Sequence, residues 1–251
     1  MPLFSIICTT YNSERDIENL LESINNQTIK DYEIVLVDGV STDKTLEIAS
    51  KYPQINILSE KDKGIYDAMN KGIEIAKGNW IIFMGSDDTF FDNNVLENIS
   101  KMSDHENFDL IYGYVMTGIK SDIIHIPKYT KKIYFLNSIH HQGAFYNKNL
   151  FKNFKYDTNY KISSDYELNL KLFHNNSKAQ FYNGKISIVG DFGVSSKINR
   201  IGYEEEITIR KKIISNFIIL YSLNFSTIIR YNLKKIINKF WASSHLANRI
   251  G

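Results

Sequence analysis

Two adjacent carboxylates, Asp87 and Asp88, follow the apolar run Trp80–Met84 after Gly85 and Ser86. Neighbouring carboxylates repel each other unless a cation lies beside them. A divalent ion that binds one carboxylate and the phosphate oxygens of a substrate meets this requirement. An exposed turn is the alternative, since Asp is common in turns. Because Asp38 also follows an apolar run, we interpret these acidic residues as parts of a metal–nucleotide site.

The elements around these residues alternate between strand-like and helical patterns. The predicted strands of the first hundred residues are Phe4–Thr9, Glu33–Val37, Ile55–Leu58 and Trp80–Met84, and the predicted helices begin at Ser13, Asp43 and Gly64. Apolar strands separated by helices indicate crossover connections and a mostly parallel sheet that is buried on both faces. Ligands bind at the carboxyl ends of the strands in such sheets. The fold class is therefore α/β.

The second half of the chain is less regular. Its predicted strands are Leu110–Val115, Ile119–Ile126 and Ile186–Val189, the first two forming a hairpin that turns near Gly118. Its predicted helices are Ile162–Phe173 and the chain from Glu204 onward, and Asn137–Asn147 is predicted to be a loop. We expect one compact domain over residues 1–200 and a basic amphipathic helical tail over residues 201–251.

Composition excludes several classes of protein. With 251 residues, 43% of them hydrophobic and 23% charged, the chain is not disordered, collagen-like or coiled-coil. A single cysteine, Cys8, excludes a disulfide framework and a Cys-based zinc site, and it fits a reducing compartment. No signal peptide is predicted. The dinucleotide fingerprint, the P-loop and the common zinc-protease and hydrolase motifs are absent from the sequence.

Charge is distributed unevenly along the chain. Eight of the 30 Lys and Arg residues and none of the 28 acidic residues lie after residue 207. Such a tail suggests an anionic partner, such as a membrane surface or nucleic acid, or else a solvated basic face. The stretch Ile213–Ile229 carries too many polar residues for a membrane span.

Further along the tail, apolar residues recur at helical spacing beside lysines, as in Leu233, Ile236 and Ile237 with Lys234 and Lys235. That pattern is typical of a helix lying on anionic lipid. A helix docked on the protein itself or on a partner subunit is the alternative. We predict a membrane surface as the partner of the tail, and no nucleic acid.

Four segments in order resemble the motifs of inverting family 2 glycosyltransferases over about residues 3–200. They are Phe4–Asn12 (FSIICTTYN), Val37–Thr45 (VDGVSTDKT), Asp62–Gly72 (DKGIYDAMNKG) and Gly85–Asp88 (GSDD). The resemblance implies a GT-A fold, a nucleotide-sugar donor, with uridine the expected base, and a divalent metal, Mn²⁺ or Mg²⁺. The third segment is similar to bacterial enzymes that build O-antigen, lipopolysaccharide, colanic acid and other surface polysaccharides.

The resemblance also implies roles for individual residues on the donor side. Thr9 and Tyr11 would lie against the nucleobase, and Asp38 would accept a hydrogen bond from it. Asp62 would help to close the nucleotide and sugar pocket. Asp88 would be the direct metal ligand, and Asp87, the second carboxylate of the metal site, would lie nearer the ribose. Ser86 stands at the first position of the Asp-x-Asp-type triplet. Metal binding therefore depends on fewer carboxylates here.

Inverting transfer requires a base that takes the proton of the acceptor hydroxyl. Asp165 opens a predicted helix, and the segment Ser163–Leu168 resembles the family's Glu-Asp motif, with Ser164 in place of the Glu. An N-cap role is the alternative for Asp165, and Glu167 is a second candidate base. His141 and Gln142 are predicted to contact the acceptor, with a structural role as the alternative.

The predicted function is transfer of a sugar to a saccharide acceptor. The family resemblance suggests that this acceptor is lipid-linked, for example to undecaprenyl diphosphate, and that the protein is cytoplasmic and peripheral at the inner face of the bacterial plasma membrane. A sugar nucleotidyltransferase is one alternative, although the segment after the first strand lacks a Gly-rich basic loop for a triphosphate. An inactive homologue that binds saccharide or tethers a complex at the membrane is the other.

Overall fold

The computed structural model describes residues 1–102, 107–118, 123–190 and 200–247, with side chains as far as residue 237. Within these residues nine strands form one sheet, which α-helices flank. The strands are β1 (Phe4–Thr10), β2 (Tyr32–Asp38), β3 (Ile55–Ser59), β4 (Trp80–Gly85), β5 (Thr89–Phe90), β6 (Leu110–Thr117), β7 (Ile123–His125), β8 (Ala144–Asn147) and β9 (Ala179–Val189). The helices are α1 (Ile17–Asn25), α2 (Thr45–Ala49), α3 (Ile65–Ile75), α4 (Val95–Ser100), α5 (Ser164–His174), α6 (Arg200–Ile213) and α7 (Phe217–Ala247).

The first four strands form the parallel half of the sheet, in the order β3-β2-β1-β4. Their continuous apolar character arises because both faces are covered. In β1, Ile6 and Cys8 face one hydrophobic core and Ile7 faces the other. The register places Thr10 opposite Asp38 and Thr9 opposite Gly85. The polar segments that follow these strands therefore start at one edge of the sheet.

The second half of the sheet mixes strand directions. Strand β8 lies between β4 and β6 and is antiparallel to both, whereas β6 and β9 are parallel and β5 pairs antiparallel with β9. The predicted hairpin is present, because β6 and β7 pair antiparallel and Gly118 has a positive φ of 74°. The predicted start of its second strand, Ile119, falls outside the described residues.

Several element boundaries differ from the sequence-based expectation, three of them near the site. The end of the predicted loop Asn137–Asn147 is strand β8, which is too short to show a period of its own and is defined by its pairing with β4 and β6. Strand β9 begins at Ala179 and not at the predicted Ile186, because polar residues in its first half obscure the alternation of apolar and polar side chains. Helix α1 begins at Ile17 and not at the predicted Ser13, whose N–H donates to Thr45 Oγ1 (2.7 Å).

The sheet separates two cores. One contains the apolar sides of α1 and α4, and the other contains those of α3, α5 and α6. Helix α6 belongs to the predicted tail, yet its Ile209 and Arg210 are fully buried and it packs against α5. This first part of the tail therefore contributes to the core of the domain.

Helix α7 packs on α6 through one face that includes the buried residues Leu223 and Thr227. Its other face exposes Ile218, Phe225 and Ile229. In the described parts of the chain we find no helix whose length and apolar content would suffice to cross a bilayer.

Helix α3 lies so close to the sheet that Gly72 leaves no room for a side chain. A Cβ at Gly72 would lie 2.5 Å from Ile7 Cγ2 on β1. Alanine favours a helix by about 1 kcal/mol over glycine, but overpacking of a core typically costs about 1–3 kcal/mol. We therefore expect Gly72→Ala to lower the free energy of unfolding by up to about 2 kcal/mol, measured by urea denaturation.

The control for this prediction is Glu74→Ala, at an exposed position of the same helix. That substitution should change the free energy of unfolding by no more than about 0.5 kcal/mol. A Gly72→Ala protein at least as stable as the wild type would show that α3 can move away from β1 without loss.

Candidate active site

A cavity of about 530 Å³ opens at the carboxyl ends of the parallel strands. Residues from β1 and from the segments after β1, β2, β3 and β4 line it: Thr9, Thr10, Tyr11, Ser13, Gly39, Lys61, Asp62, Gly64, Ile65, Ala68 and Ser86. Three residues of the predicted nucleotide site, Thr9, Tyr11 and Asp62, are therefore in one cavity. Its size suits a small-molecule ligand.

The wall of this cavity depends on a glycine after β2. A Cβ at Gly39 would lie 2.9 Å from Asp62 Oδ2 and 3.4 Å from Tyr11 Cδ2. The absence of a side chain at Gly39 thus lets the aromatic ring and the carboxylate approach each other. Asp62 Oδ1 accepts a hydrogen bond from the N–H of Gly64 (2.8 Å), which fixes the turn into α3.

Asp38 lies at the same edge but is completely buried. Its Oδ2 accepts hydrogen bonds from the N–H of Ser41 (3.0 Å) and from Ser59 Oγ (2.6 Å), and its Oδ1 accepts one from Ser41 Oγ. In this structure the carboxylate organises the segment after β2, and it does not line the cavity. Its contact with a nucleobase stays a prediction.

Asp88 lies in the turn after β4 and is only 1% exposed. Its Oδ2 accepts from the N–H of Gly85 (2.6 Å) and its Oδ1 from the N–H of Gly190 (3.2 Å). Burial raises the pKa of Asp88 to about 6, and the charge of Asp87 also raises it, while the two N–H groups and the charge of His141 lower it. A carboxylate desolvated in this way favours a cationic partner.

Gly190, directly after β9, is a site residue that the sequence did not indicate. A Cβ at this position would lie 2.1 Å from Asp87 Oδ2. Only glycine therefore fits against Asp87 while its N–H binds Asp88. The pairing of β9 with β5 and β6 brings Gly190 here, so no local sequence signal could have identified it.

The acidic pair fits one particular kind of metal site. In the described residues there is no group of three or more acidic, His or Cys side chains that could hold a metal. Mg²⁺ commonly binds one or two carboxylates together with substrate phosphates instead of a complete protein cage. Asp88, with Asp87 beside it, matches that donor set.

Asp165 lies in the first turn of α5 and is 7% exposed. Three side chains reach its carboxylate. The Tyr66 hydroxyl, which also donates to the carbonyl oxygen of Ile162 (2.6 Å), lies 3.1 Å from Oδ1. Asn137 Nδ2 donates to Oδ2 (3.0 Å), and His141 Nδ1 lies 3.3 Å from Oδ2. The N–H of Tyr166 also donates to Oδ1 (2.9 Å). The helix begins at Ser164 with Ser163 as its N-cap, so Asp165 is not the capping residue.

The environment of Asp165 favours its ionised form. Burial raises the pKa of this carboxyl group, but the hydrogen bond and charge of His141, together with the hydrogen bonds of Tyr66 and the N–H of Tyr166, lower it further, so the pKa lies below its ordinary value. For Tyr66, burial and the charge of Asp165 both raise the pKa of the phenol. The phenol therefore stays a hydrogen-bond donor at neutral pH.

His141 lies beside Asp165 and near enough to Asp88 to act on it electrostatically. Its ring binds Asp165 directly, and its charge lowers the pKa of Asp88. The neighbouring His140 is buried, which lowers its pKa to about 4, with smaller contributions from His125 and His141. The carbonyl oxygen of Gln142 accepts from Ser187 Oγ on β9 (2.7 Å), which ties this segment to the sheet.

Glu167 is not part of this cluster. It lies two residues after Asp165, about 200° around the helix, and its Oε1 forms an ion pair with Lys171 (2.8 Å). The structure therefore does not bring Glu167 together with Asp165. Two residues that it does bring there, Tyr66 and Asn137, were missed at the level of sequence. Tyr66 lies within the segment DKGIYDAMNKG, whereas nothing in the sequence marks Asn137.

The chain is similar to known sugar-transferring proteins. Residues 5–167 match the description Glycosyl transferase family 2. A relative named PGL/p-HBAD biosynthesis glycosyltransferase, from Mycobacterium bovis, is 35% identical over 181 residues, which cover 69% of this chain and 71% of the relative.

Solved structures share the fold. S. aureus TarS 1-349 in complex with UDP-GlcNAc aligns with a TM-score of 0.68 at 20% identity, over 91% of this chain and 72% of that one. The mannosyltransferase PcManGT from Pyrobaculum calidifontis, in complex with GDP-Man and Mn²⁺, aligns with a TM-score of 0.66 at 16% identity, over 90% and 70% of the two chains. The predicted GT-A fold is thus confirmed. Since the family match covers more than half of the sequence, the chain belongs to glycosyl transferase family 2 and is a glycosyltransferase.

Proposed function

We propose that this glycosyltransferase is metal-dependent and inverting, and that it moves a sugar from a UDP-sugar to a lipid-linked saccharide acceptor in the assembly of a surface polysaccharide such as O-antigen. The main support is the position of His141, which contacts Asp165 and lies near enough to Asp88 for its charge to lower the pKa of that carboxyl group. Asp88 follows β4, Asp165 opens α5, and His141 interacts with each of them. The centre at Asp88 suits the donor diphosphate, and the centre at Asp165 suits the acceptor hydroxyl.

The cavity at the carboxyl edge of the sheet is the proposed donor site. Tyr11 is 63% exposed beside Gly39, so its ring is available to stack on a nucleobase. Asp62 also lies beside Gly39 and lines the same cavity, where it can contact the ribose or the sugar. TarS was solved with UDP-GlcNAc in a structure of the same fold, which supports a UDP-sugar as the donor.

In the proposed reaction the acceptor hydroxyl attacks the anomeric carbon of the donor sugar. As the new C–O bond forms, the hydroxyl proton passes to the carboxylate of Asp165. The bond to the nucleoside diphosphate breaks, and its electron pair stays on the diphosphate. A single displacement inverts the configuration. Because the lowered pKa of Asp165 makes it a weak base, proton transfer must accompany formation of the C–O bond.

Asp88, supported by Asp87, would hold the divalent metal together with the donor diphosphate. When bound, such an ion neutralises the charge that develops on the leaving group. The mannosyltransferase PcManGT was solved with Mn²⁺, which supports the use of a metal by this fold. His141 can contribute positive charge between the two centres when it is protonated.

The proposed lipid-linked acceptor is consistent with the surface of α7. The outward face of this helix carries Ile218, Phe225 and Ile229, and Lys234 and Lys235 are exposed further along. This combination suits the anionic inner face of a bacterial plasma membrane. We propose that the protein is peripheral there and reaches an acceptor such as an undecaprenyl-diphosphate-linked saccharide.

The first prediction from this function concerns Asp165. Incubation of the wild type with a UDP-sugar, Mn²⁺ and a lipid-linked saccharide should release UDP only when the acceptor is present. Asp165→Asn should lower kcat by about 10²–10⁴-fold, the usual contribution of a general base, while the dissociation constant for the donor changes little.

The matched control is Asp157→Asn, which removes a partly exposed carboxylate that pairs with Lys212 (2.9 Å). It should retain the turnover of the wild type. If Glu167→Gln abolished UDP release and Asp165→Asn did not, Glu167 would be the base. Release of pyrophosphate from a nucleoside triphosphate would instead indicate a nucleotidyltransferase, and donor binding without any turnover would indicate an inactive homologue.

The second prediction concerns Asp88. Calorimetric titration of Asp88→Asn with UDP in the presence of Mn²⁺ should show an affinity at least about tenfold lower, as for loss of one charged contact. Removal of Mn²⁺ by a chelator should weaken UDP binding to the wild type but have little further effect on the variant. Asp92→Asn, an exposed acidic residue further along the chain, is the control, and equal affinities in all three proteins would contradict a metal role for Asp88.

The third prediction concerns α7. A combined replacement of Ile218, Phe225 and Ile229 by Ser should abolish flotation with vesicles that contain phosphatidylglycerol, because these side chains provide the apolar contact with the lipid. Thermal unfolding should be unchanged, since all three are exposed. Equal flotation of the wild type and the variant would assign the membrane contact to another surface or to none.

A further inference from the structure

Arg210 in α6 is fully buried although its guanidinium group is always charged. Such a group is tolerated in a core only when its N–H donors are paired. Two of its partners come from neighbouring helices. Nε donates to the hydroxyl oxygen of Tyr166 on α5 (3.0 Å), and Nη1 donates to Thr227 Oγ1 on α7 (2.7 Å).

The remaining nitrogen of Arg210 reaches a loop near the base. Nη2 donates to the carbonyl oxygen of Phe135 (2.9 Å) and to Glu206 Oε2 (2.9 Å). Arg230 on α7 donates from Nη1 to the same carbonyl (2.9 Å) and pairs with the same carboxylate oxygen. Two arginines, one from each C-terminal helix, therefore hold a single backbone carbonyl.

That carbonyl lies two residues before Asn137, whose Nδ2 donates to Asp165 Oδ2. Asn137 Oδ1 accepts a hydrogen bond from Asn169 Nδ2 (3.1 Å), so the amide can offer only its NH₂ group to the carboxylate. The side chains of Phe135 and Leu136 are partly exposed, whereas Ile133 and Ile139 on either side of them are buried in the core. Between these two buried residues, the backbone of the segment is held by hydrogen bonds, of which those to the carbonyl of Phe135 come from the two arginines.

We propose that Arg210 and Arg230 are positioning residues that keep the amide of Asn137 on the carboxylate of Asp165 by holding the carbonyl of Phe135. The proposal rests on the proposed role of Asp165 as the base. In this proposal α6 and α7 help to position the active site, in addition to any contact that α7 makes with a membrane. A displaced segment would take the Asn137 amide from Oδ2 of Asp165 and leave His141 as the remaining side-chain contact of that oxygen.

The experiment compares kcat for full-length variants at saturating donor and acceptor. Arg230→Met retains the aliphatic volume of a partly exposed side chain but cannot donate to the carbonyl of Phe135. We expect Arg230→Met and Asn137→Ala each to lower kcat about tenfold or more, as misplaced catalytic groups do. The dissociation constant for UDP should be unchanged in both variants, because neither residue lines the donor cavity.

The double variant tests whether the two residues act through one contact. If Arg230 acts by placing Asn137, Arg230→Met combined with Asn137→Ala should have a kcat within about twofold of the lower single variant, because coupled residues are not additive. Arg210→Lys, which keeps the charge but loses the planar fork, should behave like Arg230→Met. Lys212→Gln, on an exposed part of α6, is the control and should retain full kcat.

Two results would overturn the proposal: a folded Arg230→Met protein with the kcat of the wild type, or effects of the two substitutions that multiply in the double variant. If Arg210→Lys does not fold, Arg230→Met alone decides. Asp165→Asn separates this test from the proposed function. Full turnover in Asp165→Asn would reject the base itself, whereas an inactive Asp165→Asn with a fully active Arg230→Met would reject only the positioning role.

Discussion

The proposed active site depends on one buried carboxylate, that of Asp165, remaining ionised. Asp165 has lost most of its contact with water, which by itself would favour the neutral acid. Hydrogen bonds from Tyr66, Asn137 and the N–H of Tyr166, together with contact to His141, reverse that preference. These groups come from α3, from the connection between β7 and β8, and from α5. The carboxylate therefore stays charged only while those elements are packed together.

This dependence explains why the two halves of the sheet differ. The parallel half aligns the carboxyl ends of its strands by register and creates a cavity lined by polar residues. The mixed half contributes backbone groups, such as the N–H of Gly190 on Asp88 and the carbonyl of Gln142 on Ser187. His141 stands between the halves, in contact with Asp165 and near enough to Asp88 to affect its pKa. The site thus forms only when both halves share one sheet.

The C-terminal helices also contain a buried charge that must be paired. Burying Arg210 is costly unless every donor is paired, and its partners lie on α5, α6, α7 and the loop that carries Asn137. The outward face of α7 is apolar, whereas its inward face contributes Thr227 and Arg230 to this network. One helix therefore has two surfaces of different chemistry, and only the inward one is accounted for by contacts within the chain.

The sequence by itself determined the parallel half of the fold, because continuous apolar strands, helices between them and acidic residues after them are local patterns. It also indicated Asp88 and Asp165. Asp88 follows an apolar strand, Asp165 lies at the start of a helix, and both elements are recognisable from their sequence patterns. It could not determine β8, Gly190, Asn137 or the role of Arg210. A four-residue strand has no measurable period, and the other three act through partners between 28 and 102 positions away in the chain. Such contacts are decided only by tertiary packing, because the energy of a buried hydrogen bond depends on which groups the fold brings within 3 Å of one another.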